Sequence, residues 1–282
     1  MGRLAYVTVL TTSDYLEGVQ VLNYSLRQAG VKYPLVVLCG EDLPRSVNDT
    51  LTASGIEIHP VASILNPSPS KNCQPHWNTT YTKLRIFGLD FEKVIYVDAD
   101  MLVCTNLDHL FSKPHLSAVN AGGQLPWLRD WIALNSGLMV VEPSVPLLGE
   151  MLQKVGQLPV KDHGDQSFLH CYYPDWPKRE DLHLDHKYNL FSVHLDDYSK
   201  LFGYRVIRRF PAKDLELNDH MTVSVIHYIG LKKPWHADYP MRPWYRRLLQ
   251  RGTAKPLLGH AATLWFQARE KMISECNGRL LT

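Results

Sequence analysis

The sequence predicts an α/β protein with a mixed, mostly parallel sheet flanked by helices and a helical appendage at the C-terminus. Short apolar runs rich in β-branched residues alternate with segments of helical periodicity through the first half of the chain. Such alternation implies right-handed crossovers between parallel strands. The 282 residues are 45% hydrophobic, which is enough for one large α/β domain or two smaller ones.

Strands and helices alternate in order through the first half. The strand Leu4–Thr12 leads into the helix Leu16–Ala29, whose apolar residues recur at helical spacing until Gly30 ends it. The following predicted elements are the strands Tyr33–Gly40, Ile56–Ala62 and Lys93–Val103, the helices Pro44–Ser54 and Thr79–Leu89, and a loop rich in Pro, Ser and Asn at Asn66–His76.

The second half is more mixed and ends in a basic, aromatic stretch. Its predicted elements are the strands Leu116–Ala121, Leu138–Glu142 and Val223–Ile229 and the helices Pro146–Val155, Gln166–Tyr172 and Ala261–Ile273. We therefore expect one domain at residues 1–240 and a helical extension at residues 241–282 packed on it. The arginines of this stretch lie among Trp, Tyr and Leu; these arginines are Arg242, Arg246, Arg247 and Arg251. Three interpretations stay open: a weak membrane-surface contact, a binding site for an acidic acceptor and a solvated helix face.

Composition and charge exclude several classes of protein. A net charge of +2 argues against a protein built to bind a nucleic-acid backbone, so no nucleic-acid partner is expected. The five cysteines are far apart and form no Cys-x-x-Cys pair, which predicts reduced thiols in a cytoplasmic protein. No apolar run approaches the ~18–20 residues of a membrane span, and the N-terminus has no signal-peptide layout.

The acidic triplet Asp98-Ala99-Asp100 follows the buried strand that begins at Lys93. Two carboxylates at the end of an apolar strand cost several kcal/mol unless something compensates them. A divalent cation is the natural compensator, and His227, at the end of another strand, is a candidate third ligand. Two carboxylates and one imidazole suit Mn²⁺, or Mg²⁺ in its place, although a lone histidine is also compatible with a purely structural role.

Two further turns offer phosphate and nucleotide contacts. After His227, Gly230 permits close backbone approach and Lys233 supplies a positive charge, which together predict a pyrophosphate clamp. After the first strand, Thr11, Thr12 and Asp14 offer partners for a base or ribose, and Tyr15 offers a ring for stacking; capping of the next helix by Ser13 or Asp14 is the alternative.

A third group of short polar side chains is typical of sugar recognition. Asn135 and Ser136 precede a predicted strand, and Asp162, Asp165 and Gln166 open a predicted helix. Helix capping is the alternative role for the two aspartates. Lys83, on the helix before the acidic strand, can reach a carboxylate or a phosphate, and its alternative is a solvated lysine.

Several catalytic motifs are absent from the sequence. It contains no Gly-x-x-x-x-Gly-Lys-Ser/Thr loop and no His-Glu-x-x-His pair. A nucleotidyltransferase would be expected to carry a glycine-rich loop after the first strand, and residues 10–15 contain no glycine.

These motifs together resemble glycosyltransferase family 8, the glycogenin-like, retaining transferases with the GT-A (Rossmann-like) fold. Six segments match in order between Val7 and Trp235: Leu-Thr-Thr-Ser-Asp-Tyr, Thr-Lys-Leu, Tyr-Val-Asp-Ala-Asp-Met-Leu-Val, Asn-Ser-Gly, Asp-His-Gly-Asp-Gln and His-Tyr-Ile-Gly-Leu-Lys-Lys-Pro-Trp. The resemblance implies transfer of a hexose from a UDP-sugar, with UDP-glucose or UDP-galactose as first candidates, and retention of the anomeric configuration.

The resemblance also implies roles for individual residues. Asp98, Asp100 and His227 would hold Mn²⁺, with Ala99 in the same donor-binding triplet, and Gly230 and Lys233 would hold the diphosphate. Uridine would be bound by Leu10, Thr11, Thr12 and Tyr15. The donor sugar would be surrounded by Lys83, Asn135, Ser136, Asp162, Asp165 and Gln166, of which Asp165, Gln166 and Lys83 would be catalytic.

The acceptor implied by the resemblance is a separate carbohydrate, lipid or polyol. A homodimer is also considered as an oligomeric state. Two alternatives stay open: a glycogenin-like primer that glucosylates itself, and a UDP-sugar-binding protein without catalysis. Self-glucosylation is disfavoured because the position that matches the acceptor tyrosine of glycogenin is Asp196, with Tyr198 two residues further on.

Overall fold

The computed structural model describes residues 2–67, 75–160, 164–217, 219–237, 239 and 256–279. The chain forms two compact units. The first contains the residues up to Leu16 together with Lys32–Ala99 and Asp108–His186. The second contains Glu17–Val31, Asp100–Leu107 and the chain from Lys187 onward.

Nine strands occur in the described part of the chain. They are β1 (Leu4–Leu10), β2 (Leu35–Gly40), β3 (Glu57–Val61), β4 (Lys93–Val97), β5 (Met101–Val103), β6 (Ala118–Asn120), β7 (Leu134–Val141), β8 (Leu190–Phe191) and β9 (Val225–His227).

The described helices fall into two kinds. The α-helices are α1 (Leu16–Gln28), α2 (Arg45–Ala53), α3 (Val145–Lys154), α4 (Asp165–Tyr172), α5 (Leu195–Phe202), α6 (Asp214–Leu217) and α7 (Pro256–Arg279). The 3-10 helices are Ser13–Tyr15, Pro75–Gly88, Asp108–Ser112, Pro126–Leu128, Trp176–Lys178, Glu180–Leu182, His186–Tyr188 and Ser192–His194.

The first unit is built on a six-stranded sheet in the order β3-β2-β1-β4-β7-β6. The strands β3, β2, β1 and β4 are parallel, whereas β7 runs antiparallel to both β4 and β6. Every residue of β2 and β7 is buried, as expected for strands covered on both faces. The predicted α/β class with a mostly parallel sheet flanked by helices is confirmed.

The second unit contains a three-stranded sheet in the order β5-β9-β8. Antiparallel pairing of β5 with β9 sets Met101 opposite His227, and the backbone N–H of Tyr228 donates to the carbonyl of Asp100 at 2.9 Å. This register places Asp100, the residue before β5, beside the end of β9.

The predicted strand Lys93–Val103 is wrong, because the chain leaves one sheet and enters the other at the acidic triplet. The backbone N–H of Asp98 donates to the carbonyl of Gly137, whereas Asp100 already pairs with the chain after β9. Two short strands, β4 and β5, therefore replace the single long one.

Other element predictions also need correction. Asn135 and Ser136 do not precede a strand but lie inside β7, which begins at Leu134. The segment predicted as the helix Thr79–Leu89 is a 3-10 helix from Pro75 to Gly88. The strand β8 has only two residues, too few to show a period of two in the sequence.

The C-terminal helix α7 is longer than the predicted helix Ala261–Ile273. The four arginines of the basic stretch lie outside the described residues, so the division at residue 240 and the membrane-surface contact stay predictions. None of the described helices combines the length and apolar character needed to cross a bilayer. The four cysteines in the described part of the chain are unpaired, consistent with the predicted thiols.

One buried histidine makes the first unit sensitive to acid. Burial lowers the pKa of His186 to about 4, from 6.5, and its Nδ1 atom has no hydrogen-bond partner among the described residues. The unfolded chain takes up this proton at higher pH than the folded chain does. The contribution of neutral His186 to the free energy of unfolding is therefore fully present above pH 6.5 and is lost as the pH drops toward 4.

We expect this group to cost about 3 kcal/mol of unfolding free energy at pH 4 relative to pH 7. Urea unfolding across this pH range checks the expectation, with His186→Leu flattening the profile and a substitution at the exposed His220 leaving it unchanged. An identical pH profile for His186→Leu and the unaltered protein would contradict it.

Candidate functional site

Two carboxylates and one imidazole converge after the end of β4. One oxygen each of Asp98 and Asp100 and one ring nitrogen of His227 all lie within 4.8 Å of one another. Asp98 and Asp100 lie close together because they belong to one tripeptide. The pairing register of β5 with β9 places His227 beside them. Opposite oxygen ligands of one cation at ~2.1–2.2 Å are ~4.3 Å apart, so a small adjustment of side chains suffices for binding. The donor set fits Mn²⁺ or Mg²⁺.

The histidine of this cluster is oriented by an amide. The Nδ1 atom of His227 lies 2.9 Å from the Oδ1 atom of Asn189, which can only accept a hydrogen bond, so Nδ1 carries the proton. The Nε2 atom faces Asp100, whose Oδ1 atom is 3.3 Å away. With a proton held on Nδ1, Nε2 is the ring nitrogen that would give its lone pair to a cation, the usual arrangement of a ligating histidine.

The carboxylate of Asp100 is also paired with a buried lysine. The Nζ atom of Lys233 donates to the Oδ2 atom of Asp100 at 2.5 Å and to the carbonyl of Tyr228 at 3.0 Å. Burial alone would raise the pKa of Asp100, but Lys233 and His227 lower it well below its ordinary range. Asp100 is therefore an anion at neutral pH, as a metal ligand must be.

The turn after β9 needs a glycine at one position. Gly230 has a φ of +99°, a conformation that other residues adopt only with strain. A Cβ atom at this position would meet none of the described residues within 4 Å, so backbone conformation rather than crowding by them is what requires glycine. The space that the described residues leave beside this backbone suits the close approach of a phosphate.

A second cluster lies within the first unit around Lys83. Its Nζ atom is 2.8 Å from Asp165 Oδ2, 3.1 Å from Asp98 Oδ1 and 3.1 Å from the Ser136 hydroxyl. The Ser136 hydroxyl in turn donates to Asp165 Oδ2 at 2.8 Å. Lys83, Ser136 and Asp165 are all buried, so these contacts are shielded from water.

The charge balance of this cluster favours a further cation. One ammonium against two carboxylates leaves a net charge of −1. Burial alone would lower the pKa of Lys83, but Asp165 and Asp98 raise it above its ordinary value, so the lysine stays protonated. Asp98 belongs to both the Lys83 cluster and the metal-ligating cluster, and a divalent ion there would more than offset the excess negative charge.

Other predicted sugar-site residues lie beside Lys83. Gln166, at the start of α4, accepts from the backbone N–H of Ser136 through its Oε1 atom at 3.1 Å. The side-chain oxygen of Asn135 accepts from the backbone N–H of Gly137 at 2.8 Å, which shapes the start of β7. Asp162 lies outside the described residues, so its role stays a prediction.

The predicted nucleotide turn follows β1. Leu10 is fully buried, and Thr11, Thr12 and Tyr15 are partly exposed. The Thr11 hydroxyl accepts from the hydroxyl of Thr79, a residue that the sequence did not single out. Thr12 precedes the 3-10 helix Ser13–Tyr15 without a side-chain capping hydrogen bond.

Two residues beside the metal ligands were also missed from the sequence. Asn189 faces His227, as described above, and the Tyr96 hydroxyl donates to Asp98 Oδ1 at 2.5 Å. A period of two along β4 places Tyr96 and Asp98 on the same side of the strand, a signal that could have indicated Tyr96. No comparable local signal connects Asn189 with a histidine 38 residues away.

We expect Tyr96→Phe to weaken Mn²⁺ binding in the presence of UDP by about 10–100-fold, because it removes a hydrogen bond that orients Asp98. The phenyl ring keeps the packing, so the unfolding free energy should fall by only about 1 kcal/mol. Electron paramagnetic resonance of free Mn²⁺ measures the affinity.

The matched control is Tyr24→Phe, which removes a similar tyrosine–carboxylate hydrogen bond, to Glu275, outside the ligand set. Unchanged Mn²⁺ affinity in Tyr96→Phe would show that the hydrogen bond from the Tyr96 hydroxyl does not help to orient Asp98 as a ligand.

The segment compared with the self-glucosylated region of glycogenin is buried. The Oδ2 atom of Asp196 accepts from the backbone N–H of Leu257, in the first turn of α7. Tyr198 is fully buried, and burial raises the pKa of its hydroxyl. Neither position offers an exposed tyrosine hydroxyl.

Comparison with known sequences identifies relatives. Residues 6–124 match the family model described as Glycosyl transferase family 8. Inositol phosphorylceramide glucuronosyltransferase 1 of Arabidopsis thaliana is 32% identical over 245 residues, which cover 83% of this chain and 43% of that protein. UDP-glucuronate:xylan alpha-glucuronosyltransferase 1 of Arabidopsis thaliana is 30% identical over 245 residues, covering 84% and 33%. Human glycogenin-1 is 31% identical over 245 residues, covering 85% and 64%. The chain thus spans less than half of the two plant proteins.

Solved structures support the fold. The galactosyltransferase LgtC, crystallised with donor and acceptor sugar analogues, superposes with a TM-score of 0.58 at 18% identity over 89% of this chain and 96% of that one. The glycosyltransferase GlyE of Streptococcus pneumoniae TIGR4 gives 0.55 at 16% identity over 97% and 64%. The family model and the relatives confirm the resemblance to glycosyltransferase family 8 that the motifs predicted.

Proposed function

We propose that the chain is a metal-dependent, retaining glycosyltransferase that moves a hexose from a UDP-sugar to a separate carbohydrate, lipid or polyol. The observation that carries the proposal is the convergence of Asp98, Asp100 and His227 to within 4.8 Å. The similarity to glycosyltransferase family 8 supports the donor class and the retention of configuration.

The charges that develop during transfer indicate a role for each group of residues in the site. Breaking the bond between the sugar C1 and the phosphate leaves negative charge on UDP and positive charge on the sugar ring. Asp98, Asp100 and His227 would hold the cation, which when bound supplies Lewis-acid stabilisation of the leaving diphosphate. Lys233 adds a second positive charge for this diphosphate.

The sugar side of the reaction falls to the cluster around Lys83. The Oδ2 atom of Asp165 accepts hydrogen bonds from both Lys83 and Ser136, which fixes the carboxylate and lowers its nucleophilicity. We therefore assign Asp165 the electrostatic stabilisation of the cationic sugar. Lys83 holds the carboxylate of Asp165 directly, and Gln166 supports it by binding the backbone of Ser136, whose hydroxyl donates to Asp165. A covalent glycosyl-Asp165 adduct, detected by mass spectrometry of the donor-loaded protein, would contradict this assignment.

The alternative of a self-glucosylating primer has less support. Asp196 has no hydroxyl and its carboxylate binds the backbone of α7, whereas Tyr198 is fully buried, so glucosylation of Tyr198 would require unpacking of this region. Incubation with UDP-glucose and Mn²⁺ followed by intact-mass measurement should show no added hexose.

The proposed activity is tested by release of UDP from a panel of donors in the presence of Mn²⁺. The panel contains UDP-glucose, UDP-galactose, UDP-xylose, UDP-N-acetylglucosamine and UDP-glucuronate, the last because one relative is named for that donor. We expect slow hydrolysis of at least one donor, loss of it in excess chelator and recovery with added Mn²⁺. No UDP release from any donor would overturn the proposal.

A further inference from the structure

The connection between β6 and β7 exposes three large apolar side chains. Trp127 is 54% exposed, Trp131 is 60% exposed and Ile132 is 54% exposed. We call residues 121–133 the tryptophan loop. Holding two indole rings in water forfeits a large part of the burial energy of these side chains, and a concentration of such residues is typical of a binding surface.

Backbone hydrogen bonds make the tryptophan loop an ordered support. The N–H of Trp131 donates to Leu128, the N–H of Leu128 donates to Leu125, and the N–H of Gly122 donates back to Trp131, at 2.8–2.9 Å. A Cβ atom at Gly122 would lie 2.2 Å from the carbonyl oxygen of Leu128, so only glycine allows this closure. Leu125 is fully buried and anchors the loop. A partner would therefore bind a preformed surface at low entropic cost.

The tryptophan loop is continuous with the candidate sugar site. The N–H of Ala121 donates to the carbonyl of Ala133 at 2.8 Å, which closes the loop onto the start of β7. Ser136, which contacts Lys83 and Asp165, is five residues beyond Trp131 in the chain. Five residues span at most roughly 18 Å, a separation that an oligosaccharide of a few residues can bridge.

We propose that the tryptophan loop binds the saccharide chain of the acceptor, an inference that rests on the proposed transferase function. The C–H faces of pyranose rings carry positively polarised hydrogens that pack against the electron-rich faces of indole rings. The exposed side chains of Gln124, Arg129 and Asp130 lie on the same loop and supply donors and acceptors for sugar hydroxyls.

The polar residues of the loop favour a saccharide over a lipid surface. Arg129 and Asp130 lie between the two tryptophans in the chain, so insertion of both rings into a bilayer would draw a carboxylate toward the hydrocarbon. The two charges also cancel, which removes the electrostatic attraction to anionic lipids that surface-bound segments use.

The experiment titrates maltohexaose, xylohexaose and cellohexaose separately into the full chain in the presence of UDP and Mn²⁺, with calorimetric detection. We expect at least one of them to bind, Trp131→Ala to weaken that binding tenfold or more, and Trp131→Phe to retain it within about threefold because the aromatic face remains. Ile273→Ala, which truncates an exposed apolar residue of α7, is the matched control and should bind as the unaltered protein does.

UDP affinity, measured in the same samples, separates the two proposals. Failure to bind UDP would contradict the transferase function itself. Normal UDP binding with no response to any of the three oligosaccharides, or with undiminished binding by Trp131→Ala, would overturn only the assignment of the tryptophan loop. Co-sedimentation with phosphatidylcholine–phosphatidylserine vesicles that Trp131→Ala abolishes, without saccharide binding, would also overturn it in favour of a lipid surface.

Discussion

Lys83→Met is expected to destabilise the protein by about 3–5 kcal/mol, because it leaves two carboxylates without their shared counter-ion in a buried site. The Nζ atom of Lys83 lies 2.8 Å from Asp165 and 3.1 Å from Asp98, and the side chain is only 8% exposed. Methionine preserves the length and much of the volume of the side chain, so lost packing contributes little. Urea unfolding at neutral pH measures the loss.

A double variant separates charge compensation from packing. Lys83→Met combined with Asp165→Asn removes one of the two stranded charges, and we expect it to recover at least about 1 kcal/mol relative to the sum of the single effects. It should not recover UDP-sugar hydrolysis, since both residues are assigned to the donor sugar. The control is Lys178→Met, which breaks an exposed ion pair with Asp175 and should change stability by no more than about 0.5 kcal/mol. If Lys83→Met alone were as stable as the unaltered protein, Lys83 would not compensate the charges of these two carboxylates.

Asp100→Asn is expected to lower Mn²⁺-dependent UDP release by at least about 100-fold, more than the loss of a residue that only orients a ligand. The amide has the shape of the carboxylate but no charge. It therefore weakens the contacts to Lys233 and His227 and removes an anionic ligand for the cation. Initial rates at saturating donor measure the effect.

The control for this variant is Asp175→Asn, which removes an exposed carboxylate that is paired with Lys178 and assigned no role in the site, and it should leave the rate unchanged. Excess Mn²⁺ should restore part of the activity of Asp100→Asn if weakened metal binding is the cause. A rate within threefold of the unaltered protein would contradict the assignment of Asp100 as a ligand.

Sequence patterns predicted the elements whose structure is set locally. The strand β2, for example, is a continuous apolar run, and α1 has a clear helical period. The position of the site at the carboxyl end of β4 followed from the rule for parallel sheets. The break between β4 and β5 could not be predicted in this way. It depends on two backbone hydrogen bonds, one from the N–H of Asp98 to the carbonyl of Gly137 and one from the N–H of Tyr228 to the carbonyl of Asp100.

The same limit applies to the side chains of the site. The motifs identified Asp98, Asp100 and His227, and the structure brings them together. No role was predicted for the supporting residues Tyr96 and Asn189, although Tyr96 opens the matched segment that contains Asp98, because their importance lies in contacts that exist only once the strands are paired. Lys83 was predicted to reach either a carboxylate or a phosphate, and in the folded chain it contacts two carboxylates.

The central claim is that Asp98, Asp100 and His227 hold a divalent cation that binds together with the diphosphate of the donor. Calorimetric titration of UDP into the protein, first in chelator and then in Mn²⁺, tests this claim without requiring the acceptor or the correct sugar. We predict that Mn²⁺ tightens UDP binding by about tenfold or more, and that Asp100→Asn abolishes the difference. Equal UDP affinity of the unaltered protein with and without Mn²⁺ would contradict the claim.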